Sequence, residues 1–150
     1  MPGNQRPKAN KQQPTNNNHA QFSITHFPLT YEEMHNALLT WLHAWNAHNL
    51  AGIMALLADD VVFENWSGKR IKGKAKLERT WAMWFARDET FCFDWLDVIV
   101  DTAAQKALIH WRLHWSPPNQ PHLWEIREGV DVLHFVNGRI TAKLTFTKEI

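Results

Sequence analysis

The sequence predicts a single α+β domain: three N-terminal helices packed on a curved, mainly antiparallel β-sheet, forming a cone with an internal pocket. Three observations point there. Apolar residues recur at helical spacing in the first part of the chain, up to about residue 86. From residue 91 onward, runs of β-branched and aromatic residues alternate as strands do. Nine Trp in 150 residues each need burial, a stacked ligand or an interface. The length suits one domain with a sizeable core.

Residues 1–27 are rich in Asn, Gln, Pro and Lys and hold no acidic residue, so they bury too little apolar surface to order themselves and form a disordered polar tail. The domain spans 28–150. Thr30 followed by Glu33 has capping-box spacing, and Met34, Leu38, Trp41, Leu42 and Trp45 form one apolar stripe, predicting a first helix to about His48. A second helix is expected from an Asn49 cap, with Ile53, Leu56 and Leu57 inward, stopping at Asp59 and Asp60. The run VVFENW follows as a strand, SGKRIKGK as a turn, and a third helix presents Leu77, Trp81, Trp84 and Phe85 on a face expected to serve as core. Four strands close the chain: FCFDWLDVIVD, KALIHWRLHWS, LWEIREGVDVLHFV and RITAKLTFT. The Pro-rich SPPNQP and the hairpin pair Asn137-Gly138 join them as an antiparallel meander. Helices preceding such a sheet pack on its concave face and leave a pocket at the open end.

Charge excludes little and favours nothing. Sixteen basic and 15 acidic residues leave a net charge of +1, giving no electrostatic reason to expect nucleic acid or an anionic membrane as partner. Without Arg6, Lys8 and Lys11 of the tail, the remainder holds 13 basic and 15 acidic residues. Cys92 is the only cysteine. No stretch approaches the roughly 20 apolar residues of a membrane span, and MPGNQRPKANKQQ lacks the apolar centre of a secretory signal, so the expected location is the cytoplasm. Nucleophile elbow, P-loop, dinucleotide glycine pattern and paired-cysteine motifs do not occur, and no cofactor is expected.

The stretch AWNAHNLAGIMALLADDVVFENWSG resembles the opening of the SnoaL-like and ketosteroid isomerase-like families of the nuclear transport factor 2-like superfamily. These show a helix, a short helix of the form D-L-x-x-x-x-x-L-F-A-D-D, and a first strand. Gly73 before an aromatic-bearing helix, the EGVDVLHF strand and the NGRI turn extend the resemblance over roughly Tyr31 to Thr147. It implies a cone fold, a small-molecule pocket and a homodimer, but that superfamily hosts isomerases, cyclases, dehydratases, epoxide hydrolases and binding proteins.

In ketosteroid isomerases an Asp is the general base, while a Tyr and a protonated Asp form the oxyanion hole. By resemblance the base position falls on Asn65, which cannot take a proton at neutral pH, and the Tyr position falls on Trp41, which has no phenol. The oxyanion-hole Asp is matched by Asp131. Leu133 and Phe135 share its face and look core-like, so it is either an acid-base group or a strand-anchoring carboxylate. Lys143 and Thr145 occupy pocket-lining positions by resemblance, with Ile140, Ala142 and Leu144 alternating to the other side. The bland alternative makes Thr141, Lys143, Thr145 and Thr147 a solvated face.

The expected catalytic set is therefore Asp131 with Asn65 and Lys143 as orienting or charge-stabilising groups. Trp41, Trp45, Phe63, Trp66, Trp111, Trp115, Leu133 and Thr145 are the expected ligand wall. Repeated Trp suits a roomy pocket for a flat or polycyclic ligand, so the partner is a hydrophobic or aromatic small molecule. His110 and His114 lie about 13 Å apart along a strand, too far to share an ion, and no metal is expected. With Arg112 their face could belong to a dimer interface. Lys69, Arg70, Lys72, Lys74, Lys76 and Arg79 gather at the start of the third helix, either as a solvated basic turn or as a dock for a phosphate or carboxylate. Two functions remain open: a cofactor-independent isomerase- or cyclase-type enzyme using acid-base chemistry, and a non-catalytic binding or dimeric scaffold protein.

Overall fold

A computed structural model describes residues 28–87, 90–117 and 119–148; the expected tail, 1–27, lies outside them. The elements run α1 (Tyr31–Asn46), α2 (Leu50–Ala55), β1 (Leu57–Glu64), β2 (Arg70–Lys72), α3 (Lys74–Phe85), β3 (Thr90–Asp101), β4 (Lys106–Ser116), β5 (Glu125–Val136) and β6 (Arg139–Lys148).

Local chemistry explains the helix starts. Thr30 and Glu33 form the full capping box, each side chain bonded to the other's backbone N–H, and Asn49 Oδ1 caps α2 through Gly52 N. The stripe Met34, Leu38, Trp41 and Trp45 is buried. At its far end Asn46 accepts from Phe93 N (2.8 Å) and donates to Phe93 O (3.0 Å), supplying a partner to the open edge of β3 and fastening α1 across it.

The sheet has six strands in the order β2-β1-β6-β5-β4-β3. The last four form the expected antiparallel meander, and Asn137 and Gly138 take φ of 53° and 75° in its final turn, the left-handed pair that two-residue hairpins require. β1 lies parallel to β6, so the sheet is mixed.

Three expectations need correction. Leu57 to Asp60 are strand, because Ile140 N bonds to Leu56 O and Leu57 pairs with Ile140: sheet pairing overrides the helical pattern that continues through Leu57. Within the expected turn SGKRIKGK, Arg70–Lys72 form an edge strand on Val62–Glu64, with Gly68 at φ 78° making the reversal; charged residues suit such an edge. Finally, Ile140 is on the inner side with Lys143, since the β5–β6 register skips one residue between His134 and Phe135. That places a bulge at Thr141, which reverses the alternation. A second bulge at Leu96 interrupts β3–β4 between Trp95 and Asp97. Bulges bend and twist a sheet, and these two curl it around α1 and α3.

Candidate functional site

The concave face and its helices enclose a cavity of about 250 Å³. Its wall is mostly aromatic. Trp41 and Trp45 reach it from α1, Trp81 and Trp84 from α3, Phe93 and Trp95 from β3, Trp111 from β4, and Phe63 from β1. Trp45 is the hub, its centroid 5.7 Å from Trp41, 4.7 Å from Trp81 and 6.5 Å from Trp84, all near edge-on, the geometry the ring quadrupole favours. Phe63 meets Trp81 at 4.3 Å and Phe93 meets Trp111 at 5.6 Å. Trp111 stands opposite Gly129 in the β4–β5 register, where a Cβ would come within 2.5 Å of the indole. The glycine makes room for that ring.

Into this apolar wall β5 and β6 insert a polar cluster. Asp131 faces Thr145 across the ladder, and Asp131 and Lys143 are only 6% and 7% exposed. Lys143 Nζ lies 3.1 Å from Asp131 Oδ1 and donates to the Glu64 carbonyl (3.2 Å) and to Thr145 Oγ1. Three ammonium protons thus meet three acceptors. Thr145 Oγ1 in turn lies 2.8 Å from both Asp131 Oδ1 and the Glu64 carbonyl, two acceptors for its one proton. Burial pulls Lys143 below the ordinary lysine range, while the charge and hydrogen bond of Asp131 and the charge of Glu64 act against that shift. The ammonium also sits 4.4 Å from the Phe63 ring centroid, a cation–π contact. Lys143 and Thr145 are therefore not a solvated face. Both donors converge on Oδ1, so Asp131 Oδ2, without a hydrogen bond from the described residues, is the oxygen a ligand can meet in the cavity that Asp131 lines.

Asn65 lines the cavity too, but its Oδ1 accepts from Ser67 N, Ser67 Oγ and Lys69 N. That oxygen organises the loop from β1 to β2, leaving the amide nitrogen for a ligand. The loop holds Trp66, which is 47% exposed with the Arg127 guanidinium 4.1 Å from its centroid, and the exposed Lys69. Together with exposed Thr80 they form the cavity mouth.

Of the wall residues expected from sequence, Trp41, Trp45, Phe63, Trp66, Trp111 and Thr145 share the cavity, as do Asp131, Asn65 and Lys143. Trp115 and Leu133 fall outside its lining. Trp115 is half-buried near the end of β4, across from Phe91, and Leu133 is wholly buried in the core below Asp131. Trp81 and Trp84, expected only as core, line the cavity, and Trp95 joins them. Trp95 carried a signal, since it alternates with Phe91 and Phe93 on one strand face; the two α3 rings carried none, because their surroundings depend on how the helix docks.

The histidines lie elsewhere: His110 pairs with Glu128 at 2.8 Å and His114 with Asp94 at 2.9 Å. No group of three His, Cys, Asp or Glu among the described residues could hold a metal. No helix among them is long and apolar enough to cross a membrane.

A family model for the SnoaL-like domain matches residues 38–143, more than two thirds of the chain. The chain belongs to the SnoaL-like family. Solved structures agree on the fold. An LEH-like epoxide hydrolase from Mycobacterium tuberculosis superposes with a TM-score of 0.67 at 20% identity, over 78% of this chain and 84% of that one. A candidate polyketide cyclase from Pseudomonas putida gives 0.63 at 17%, covering 75% and 89%. A protein of unknown function with a cystatin-like fold from Methylobium petroleophilum gives 0.66 at 15%, covering 83% and 81%. No curated protein matches the sequence.

Proposed function

We propose that this SnoaL-like protein is a cofactor-independent acid-base enzyme of the isomerase or cyclase type, acting on a hydrophobic, aromatic small molecule. The observation carrying this reading is a buried ion pair set in an aromatic wall, with one carboxylate oxygen left to the cavity. A desolvated pair is expensive and contributes little net stability compared with apolar packing, so its placement at a cavity suits chemistry. Asp131 Oδ2 removes a proton from a carbon beside a substrate carbonyl and returns it at another position, so electrons and protons balance within the substrate. Lys143 and Thr145 hold Oδ1 and fix the carboxylate's orientation. Asn65 offers its amide nitrogen to a substrate oxygen.

Deuterium exchange at C1 of 2-tetralone in D2O, followed by NMR, tests this without a known substrate. The native protein is expected to accelerate exchange and Asp131→Asn to lose about 10²-fold or more of that acceleration. Equal rates for the two proteins, or no acceleration by either, would overturn the acid-base role.

The second reading, a non-catalytic ligand-binding protein, is favoured by Asn65, whose oxygen is committed to its loop. In that case 2-tetralone binds without exchanging faster. In either reading we infer a homodimer through the outer sheet face. Ile126 and Phe146 are 51% and 61% exposed there, beside the Arg112–Glu128 and His110–Glu128 pairs. Sedimentation equilibrium should give twice the chain mass, and a Phe146→Glu, Ile126→Glu protein should give the monomer.

A further inference from the structure

Resting on the aromatic-ligand reading, we infer that the ligand is an anionic aromatic acid whose carboxylate is held by Lys69 at the cavity mouth. Among the described residues, the ionised side chains lining the cavity are Lys69, Asp131 and Lys143. Asp131 and Lys143 neutralise each other at depth, which leaves one positive charge on the wall. Of the other cations beside the β1–β2 loop, Arg70 pairs with Glu64 at 2.6 Å, and Arg127 pairs with Glu125 at 3.0 Å and covers Trp66. Lys69 has no carboxylate partner among the described residues.

Its position is also built. The backbone N–H of Lys69 donates to Asn65 Oδ1 at 2.9 Å, its carbonyl accepts from Asn65 N at 3.0 Å, and Gly68 at φ 78° closes the loop. The base of the side chain is thus fixed at the rim while its ammonium remains in reach of water. A ligand with its rings among Trp45, Trp81 and Trp111 and one carboxylate outward would complete the balance. Lys69 attracts the carboxylate at the mouth, whereas at depth the neutral Asp131–Lys143 pair offers it no net charge and the aromatic wall would strip its hydration, so one orientation is selected by a favourable contact and by an unfavourable alternative. The acidic end then lies at the mouth and the carbon skeleton faces Asp131 Oδ2.

Calorimetric titration of the full chain with 2-naphthoate and with 2-naphthamide, its neutral counterpart of nearly equal shape, tests the assignment. The carboxylate is expected to bind about 3- to 10-fold tighter at low salt, within the range of a partly exposed ion pair, with the advantage shrinking as salt rises. Lys69→Gln should bring the two affinities together, whereas Lys106→Gln, exposed at the start of β4 and outside the cavity lining, should leave the preference in place. If both compounds bind equally, or the carboxylate's advantage survives Lys69→Gln, the inference is wrong while the aromatic-ligand reading stands. If neither compound binds, the aromatic-ligand reading falls and takes the inference with it.

Discussion

Replacing Lys143 by Met removes the cation from a carboxylate that is only 6% exposed and leaves Thr145 as the one donor to Asp131 among the described residues. Breaking half of a buried ion pair costs about 3–5 kcal/mol, because the remaining charge loses its partner without regaining bulk water. Asp131 borders a cavity that water can enter, which places the expected loss near the lower end, about 3 kcal/mol. For a domain of this size, such a loss corresponds to a fall of roughly 10–15 °C in melting temperature. Met is close to the Lys stem in volume, so cavity formation adds little. Replacing both partners, as in Lys143→Met with Asp131→Leu, should recover most of the stability, since an apolar pair requires no desolvation of charge. Urea titrations and scanning calorimetry of the native, single and double variants measure the cycle. A single variant losing less than about 1 kcal/mol, or a double variant less stable than Lys143→Met alone, would refute the buried-pair reasoning. The double variant should also show no acceleration of 2-tetralone exchange, separating the pair's chemistry from its effect on folding.

Gly129→Ala places a Cβ within 2.5 Å of the Trp111 ring and 2.7 Å of the Phe146 carbonyl; the expected cost is about 1–3 kcal/mol, with weaker 2-tetralone binding in calorimetry as the indole is pushed off its site. Thr30→Ala removes the N-cap of α1 and should cost about 1 kcal/mol by urea denaturation, with ligand binding unchanged. His134 is held below the usual histidine range, first by burial and second by Lys106. The unfolded chain therefore takes up this proton at higher pH than the folded one, so the group's contribution is present above about pH 6.5 and is lost as pH falls through the lower folded value. Stability measured between pH 7.5 and 5 should fall less steeply in His134→Gln, and an unchanged slope would count against that assignment.

Much of the architecture is legible because its signals are local. Thr30 with Glu33, Asn49 before α2, and Asn137-Gly138 each mark a boundary by short-range hydrogen bonding or backbone preference, and the structure uses all three. What escapes the sequence depends on pairing across the sheet. A one-residue bulge leaves no trace in residue types, yet the one at Thr141 places Ile140 and Lys143 on the same side. The same limit explains Leu57, whose helical pattern gives way to pairing with β6, and β2, whose charged residues look like a turn until Val62–Glu64 bind them. For the site, the Trp count announces aromatic walls, and the resemblance points to Asp131. The commitment of Asn65 Oδ1 to its own loop and the three acceptors around Lys143 are tertiary facts. They require the distances themselves.

The most direct measurement is a crystal structure of the protein with 2-tetralone bound. Ligand density is expected between Trp45, Trp81 and Trp111, with C1 or the carbonyl-bearing edge of the ketone within reach of Asp131 Oδ2 and the Lys143–Asp131 pair intact. Density bound elsewhere, or a ligand in the cavity with Asp131 turned away from it, would contradict the claim that this carboxylate meets the substrate.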